Sequence, residues 1–152
     1  MNISAKTDYA VRAMLVLAEM QSERPVKGEV IATAQDIPVK FLENILLDLR
    51  RAGLVTSQRG AEGGYRLSRP PEEVTLADVI RAVDGPLANV RGTRPDAAVY
   101  TGAAEGLRDV WVAMRAAMRS VLEAVTLADV IAGALPDEVK AMLVDDDAWQ
   151  PR

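Results

Sequence analysis

The polar side chains that offer the most specific chemistry lie in two neighbouring segments. Lys40, Glu43 and Asn44 alternate with apolar residues, and Arg59 precedes the glycine-rich stretch 60–64. In the major groove of DNA, an asparagine amide pairs with adenine, a glutamate accepts from cytosine N4, and a lysine reaches guanine or phosphate. An arginine is attracted to a narrow minor groove. These residue types together predict contacts with base-pair edges.

The alternative is that the first three residues are only the solvated face of an amphipathic helix. The segment that follows favours DNA contact. After Gly53, residues 54–58 alternate like a strand, 60–64 form a turn, and 65–67 form the return strand of a hairpin. The apolar stripe predicted for the helix before this hairpin is Phe41, Leu42, Ile45, Leu46 and Leu49.

The surrounding elements follow the order of a winged helix–turn–helix. Ser4 is predicted to cap a first helix of about four turns, a short helix follows over 28–34, and Pro38 opens the third. Thr75 is predicted to cap a fourth helix. Its hexamer TLADVI recurs at 126–131. We interpret this repeat as the same helix-capping sequence used at two helices and not as a duplicated domain. The predicted fold class is mainly α with a small β-hairpin wing, a winged helix–turn–helix plus a long C-terminal dimerisation helix.

We divide the chain into four segments. Residues 1–86 are the winged helix–turn–helix DNA-binding domain, 87–105 a loop, 106–144 a dimerisation helix with a C-terminal helix, and 145–152 an acidic tail. The loop has no periodicity, and loops of this length are usually functional or disordered. It either lines a small-molecule pocket near Trp111 or serves as a spacer.

A heptad-like pattern of apolar residues runs through 107–125. Residues 1–86 are expected to close their own core, so this stripe needs a partner, and we predict a homodimer. The alternative is an ordinary core contact within one chain. The residues of the predicted dimerisation seam are Leu107, Trp111, Met114, Met118, Val121 and Val125.

Composition excludes several classes of function. The chain has no cysteine and no histidine, so it lacks disulfides, thiolate metal sites and serine–histidine triads. We therefore expect no enzyme and no metal site, and interpret the acidic tail as solvated. The N-terminal segment carries charges at Lys6, Asp8, Arg12 and Glu19, which predicts neither a signal peptide nor a membrane span. A cytoplasmic protein is expected.

Charge is unevenly distributed. The net charge is −4, yet residues 1–69 contain ten Lys/Arg and eight Asp/Glu, and five arginines fall within 50–69 against the single acid Glu62. Because salt screens distant charges, such a local patch can bind a polyanion. The acidic remainder supports a different alternative, a winged-helix protein-interaction module without DNA binding.

The stretch AGLVTSQRGAEGGYRL at 52–67 resembles the signature of the Rrf2 family of bacterial winged helix–turn–helix transcription regulators. The resemblance covers about 1–84 closely and 107–135 in layout only. It extends to the first helix, through Lys6, Tyr9, Ala10, Ala13 and Leu15, and to the recognition helix, through residues 41–45.

The resemblance implies a role for six residues. Lys40, Glu43 and Asn44 fall where members of the family contact bases, and Arg59 falls where a wing arginine enters the minor groove. Arg50 and Arg51 would contact the DNA backbone. The resemblance also implies paired long helices in a homodimer.

Many members ligate an iron–sulfur cluster through three cysteines, at positions near Gly92, Ala98 and Ala104 here. Some supply an aspartate ligand where Asp8 stands and a histidine where Arg12 stands. Without a thiolate, we expect no cofactor and a colourless protein, and assign Asp8 to the helix dipole.

The predicted function is a sequence-specific DNA-binding transcription regulator, a homodimeric repressor on a pseudo-palindromic double-stranded operator. Its effector is left open between a small molecule and a protein.

Overall fold

Nine regular elements form the structure, a computed structural model that describes residues 2–20 and 23–151. They confirm the mainly helical fold with a two-stranded hairpin. In chain order they are α1 (Ala5–Met20), α2 (Gly28–Gln35), α3 (Val39–Arg51), β1 (Val55–Gln58), β2 (Gly64–Leu67), α4 (Leu76–Asp84), α5 (Leu107–Leu122), α6 (Leu127–Ala132) and α7 (Asp137–Leu143).

The first helix begins where the sequence predicts. The Ser4 hydroxyl accepts a hydrogen bond of 3.0 Å from the Thr7 amide and donates one of 2.9 Å to Asp84 at the end of α4. Lys6 donates to the Val83 carbonyl at 2.7 Å and pairs with Asp48 of α3 at 2.8 Å. The Ser4 cap satisfies one of the free amides of α1, and the contacts together hold the start of α1 against two other helices.

Helix α1 is the central helix of the core. Ala10, Ala13, Met14 and Ala18 are fully buried, and α2, α3, α4 and α6 pack around them. The apolar stripe of α3 is confirmed at four positions, but Phe41 is an exception. It is 44% exposed because it stands at the edge of the stripe, where its ring packs edge-to-face with that of Tyr9, with the ring centroids 5.6 Å apart.

The hairpin is antiparallel, with Val55 opposite Leu67 and Gln58 opposite Gly64. Its first strand begins at Val55, one residue later than predicted. The segment before α2 pairs with the second strand, because Val26 and Tyr65 exchange two backbone hydrogen bonds of 2.8 Å. We call this hairpin, residues 55–67, the wing.

The two copies of TLADVI have the same structure and pair with each other. Thr75 and Thr126 each form a capping box with the aspartate three residues later. The two segments run antiparallel, with the Leu76 amide donating to the Val125 carbonyl and the Leu127 amide to the Val74 carbonyl, both at 3.0 Å. The hexamer is therefore a helix-capping sequence that begins two different helices, as the sequence indicates.

This pairing corrects two expectations. Residues 1–86 do not close their core alone, since Leu127 is fully buried in the same cluster as α1. Helix α5 ends at Leu122, so Val125 lies beyond the helix and is 2% exposed, packed within its own chain. Val125 is therefore not on the exposed seam. The other five predicted seam residues are half-buried.

The segment 87–105 is a loop with two short 3-10 turns, Pro95–Ala97 and Gly102–Ala104. It packs on α5, and the Trp111 indole donates a hydrogen bond of 3.1 Å to the Tyr100 hydroxyl. Residues 145–151 are exposed. No helix within the described ranges is long and apolar enough to cross a bilayer.

Candidate nucleic-acid interface

Helix α3 separates its buried and exposed residues cleanly. Leu42, Ile45, Leu46 and Leu49 are buried against the core, so the other side of the helix must face solvent. Pro38 precedes the first turn, where its missing amide costs nothing, and its carbonyl accepts from the Leu42 amide at 3.0 Å. The predicted contact residues Lys40, Glu43 and Asn44 are all exposed.

A groove of about 520 Å³ separates α3 from the wing. It brings together three of the six predicted residues, Glu43, Arg50 and Arg59. The other three are exposed on α3 but do not line the groove. Their spacing of four and seven residues puts Lys40, Asn44 and Arg51 on one flank of the helix, beside the groove-facing flank.

Arg50 connects the recognition helix to the wing. Its guanidinium donates a hydrogen bond of 3.1 Å to the Ser57 hydroxyl on β1. A guanidinium has five N–H donors, so this bond leaves others free. Arg50 therefore holds the wing while still presenting positive charge in the groove.

Arg59 lies at the wing's turn, whose shape requires glycine. Gly60 has a φ of 101°, in the left-handed region. At Gly63, a Cβ atom would lie 2.2 Å from the Gln58 carbonyl oxygen, and at Gly64 it would lie 2.4 Å from the Val26 oxygen. The backbone approaches too closely for any other residue, and this holds the exposed Arg59 at the tip.

The predicted contact residues are chemically available. Within residues 2–20 and 23–151, Lys40, Glu43, Asn44, Arg51 and Arg59 make no hydrogen bond or ion pair with other side chains. Most of the other exposed arginines in the described part of the chain pair with a carboxylate, namely Arg69, Arg81, Arg94, Arg108 and Arg119. Unpaired donors and acceptors on one surface can bind an external partner without first breaking an internal contact.

Sequence reasoning missed part of the groove. Lys27, Ser57, Gln58 and Tyr65 also line it. Lys27 immediately precedes α2, the first helix of the helix–turn–helix pair. This position could have identified it from the sequence as a candidate contact residue. Ser57 and Gln58 lie on the strand before Arg59, and their role depends on how the wing folds back onto α3, which residue spacing does not reveal.

A family model named Rrf2 and described as an iron-dependent transcriptional regulator matches residues 3–133. This chain belongs to the Rrf2 family. A relative from Mycobacterium tuberculosis, named as an HTH-type transcriptional regulator, is 54% identical over 146 residues, 96% of this chain and 90% of the relative. The regulator CymR of Bacillus subtilis is 36% identical over 129 residues, 85% of this chain and 88% of CymR.

Solved structures of Rrf2 proteins have the same fold. CymR of B. subtilis, described as the global cysteine regulator, superposes with a TM-score of 0.73 at 34% identity, over 87% of this chain and 97% of CymR. IscR of T. potens gives 0.71 at 34% identity, over 88% of each chain. The chain is a DNA-binding transcription regulator and not an enzyme.

An iron–sulfur cluster does not fit the residues of this Rrf2 chain. The sequence has no cysteine or histidine, and the described part contains no cluster of three carboxylates that could hold a metal. At the positions of the family's cysteines, Ala98 is buried and Gly92 has a φ of 76°. Asp8 pairs with Arg12 at 2.8 Å.

The wing's geometry predicts the effect of Gly63→Ala. The new methyl group would overlap the Gln58 carbonyl, so the turn must distort. We expect a loss of about 1–3 kcal/mol in the free energy of unfolding and weaker DNA binding, measured by urea unfolding and by fluorescence anisotropy with labelled DNA. Gly106→Ala is the matched control, because a Cβ there meets open space. Equal stability of the two variants would show that the turn tolerates a side chain.

Proposed function

We propose that this chain is a homodimeric repressor that acts in the cytoplasm on a pseudo-palindromic double-stranded operator. The observation that carries the proposal is the unpaired set of polar side chains on α3 beside the unpaired Arg59 at the wing tip. In this arrangement α3 enters the major groove and the wing reaches the neighbouring minor groove.

Each of the six predicted residues has a role that follows from its chemistry. Asn44 pairs with an adenine, Glu43 accepts from a cytosine amino group, and Lys40 binds guanine or phosphate. Arg59 enters the narrow minor groove. The phosphate backbone is bound by Arg50 and Arg51, with Lys27 at the start of α2 as a further backbone contact.

The proposed homodimer forms through α5. No residue of this helix is buried within its own chain, although its apolar residues recur along one side. Leu107, Met114, Met118 and Val121 are half-buried, and Trp111 is partly engaged by Tyr100. Pairing two such helices covers the remaining apolar surface and places two recognition helices roughly 34 Å apart, one turn of DNA.

A dimer bound at a promoter represses transcription because it blocks polymerase from binding the same DNA. An effector, either a small molecule or a protein, would act by changing the spacing or angle of the two α3 helices. Binding to both half-sites depends on that spacing, so a small change is sufficient to release the operator.

The experiment that tests the function is selection of genomic DNA fragments on the purified protein, sequenced at two salt concentrations. We expect an enriched palindromic motif whose affinity falls steeply with salt, because phosphate binding releases counterions. An absence of enrichment at low salt would contradict the operator proposal. It would favour the alternative, a winged-helix module that binds proteins and not DNA.

Arg59→Ala should weaken binding to the selected operator by about 1–3 kcal/mol and relax the preference at the adjacent bases. The reason is that the wing tip holds no other cation. Affinity is measured by anisotropy on the selected motif and on a version with the flanking bases changed. Arg108→Ala, which removes an exposed arginine from α5, is the control and should bind as the unchanged protein does. Unaltered affinity and preference in Arg59→Ala would remove the wing from the interface.

Replacing Met114 and Met118 together by glutamate should produce monomers, because four charges would face one another across the paired helices. Light scattering should then give a mass near 16.4 kDa. Ala113→Glu, at an exposed position of α5 outside the predicted seam, is the control and should remain dimeric. Monomers from Ala113→Glu, with dimers persisting in the methionine variant, would place the interface on the other face.

A further inference from the structure

Four arginines from three parts of the chain converge on one concave site. Arg81 comes from α4, Arg94 from the loop, and Arg115 and Arg119 from α5. With the apolar residues Pro86, Leu87 and Ala88 they line a pocket of about 280 Å³, at the small end of the range for ligand sites. We call it the arginine pocket.

Two carboxylates neutralise only half of this charge. Asp96 accepts from Arg115 at 2.9 Å and from Arg94 at 3.1 Å. Glu123 accepts from Arg119 at 3.0 Å and also from Arg81. The hydrogen bond from Arg94 lowers the pKa of Asp96, and the bond from Arg119 lowers that of Glu123. Both acids therefore stay ionised near neutral pH, and the pocket retains two positive charges.

The guanidinium groups also retain unused donors. Arg115 and Arg119 each bond their carboxylate through one nitrogen, whereas a guanidinium presents five N–H groups in a planar fork. Such forks match the oxygens of carboxylates and phosphates. The surplus positive charge and the unused donors therefore both favour an anionic ligand with carboxylate or phosphate oxygens.

We propose that the arginine pocket binds a small polyanion bearing carboxylate or phosphate groups, and that this anion is the effector of the regulator. The effector role of this anion rests on the proposed function. The pocket favours a small molecule over the phosphates of DNA, because its walls are concave and the Arg115 side chain is only 20% exposed.

The position of the pocket lets a ligand influence the DNA-binding surface. Arg81 belongs to α4, which packs against both α1 and the recognition helix α3. Glu123 follows the proposed dimerisation helix α5, and its pair with Arg81 joins the two helices. An anion that binds the guanidinium of Arg81 competes with Glu123 for it, and so acts on the connection between α4 and α5.

The first test contains no DNA. Calorimetric titrations use inorganic phosphate, pyrophosphate, succinate and citrate as probes, at constant ionic strength. We expect at least one probe to bind saturably, with one site per chain. Arg119→Gln and Arg94→Gln should each weaken its binding by about tenfold or more, since each removes charge-assisted hydrogen bonds. Arg108→Gln, outside the pocket on α5, should leave binding unchanged.

Three outcomes would overturn the site. The first is that none of the four probes binds. The second is that Arg108→Gln weakens binding as much as the pocket variants do, and the third is that both pocket variants bind the probe as the unchanged protein does. Thermal unfolding of each variant confirms that it is folded. Because no operator is involved, these outcomes do not depend on whether the chain binds DNA.

The second test measures operator affinity with and without a saturating amount of the bound probe. We expect a change of at least about fivefold in the unchanged protein and none in Arg119→Gln. A probe that binds but leaves the affinity unaltered would refute the effector role. A loss of operator binding in Arg119→Gln without any probe would show instead that the arginines contact DNA.

Discussion

The packing of four helices around α1 is the constraint on which the rest of the structure depends. Ala10, Ala13 and Ala18 have no side chain beyond Cβ, so four other helices approach the α1 backbone closely. The recognition helix is one of them, and packing its leucines against α1 decides which of its sides faces solvent. The availability of Lys40 and Asn44 for DNA is thus a consequence of small residues one helix away.

Much of the DNA-binding unit could be predicted because its determinants are local. The period of α3 and the glycine turn of the wing involve neighbouring residues, and the exposed positions of Lys40, Glu43 and Asn44 follow from that period. Phe41 was misplaced because it stands at the edge of the apolar stripe, where packing and not periodicity decides exposure. Val125 was misplaced because a heptad count ignores helix ends. The capping hexamer beginning at Thr126 already contained the information that a new helix starts there.

The arginine pocket could not be predicted from the sequence, for a physical reason. Its arginines span 81–119, and they belong to the half of the chain with a net charge of −6. Within the described residues, the tertiary structure brings only Asp96 and Glu123 to these arginines, whereas five other acids of this half lie in the segment after Pro136. At physiological ionic strength charges interact over about 8 Å, so what matters to a bound anion is this local arrangement. For the same reason, a net charge of −4 does not prevent the chain from binding DNA through a local basic surface.

Two connections of different chemistry join α4 to the end of α5, and they respond differently to the solution. The first is the pair of backbone hydrogen bonds around Thr75 and Thr126, flanked by the buried Val125 and Leu127, and it involves no charged group for which an anion could compete. The second is the ion pair of Arg81 with Glu123, which is partly exposed and which anions can reach. A bound anion therefore weakens the second connection and leaves the first intact. The two helices stay joined, and only their relative orientation is open to regulation.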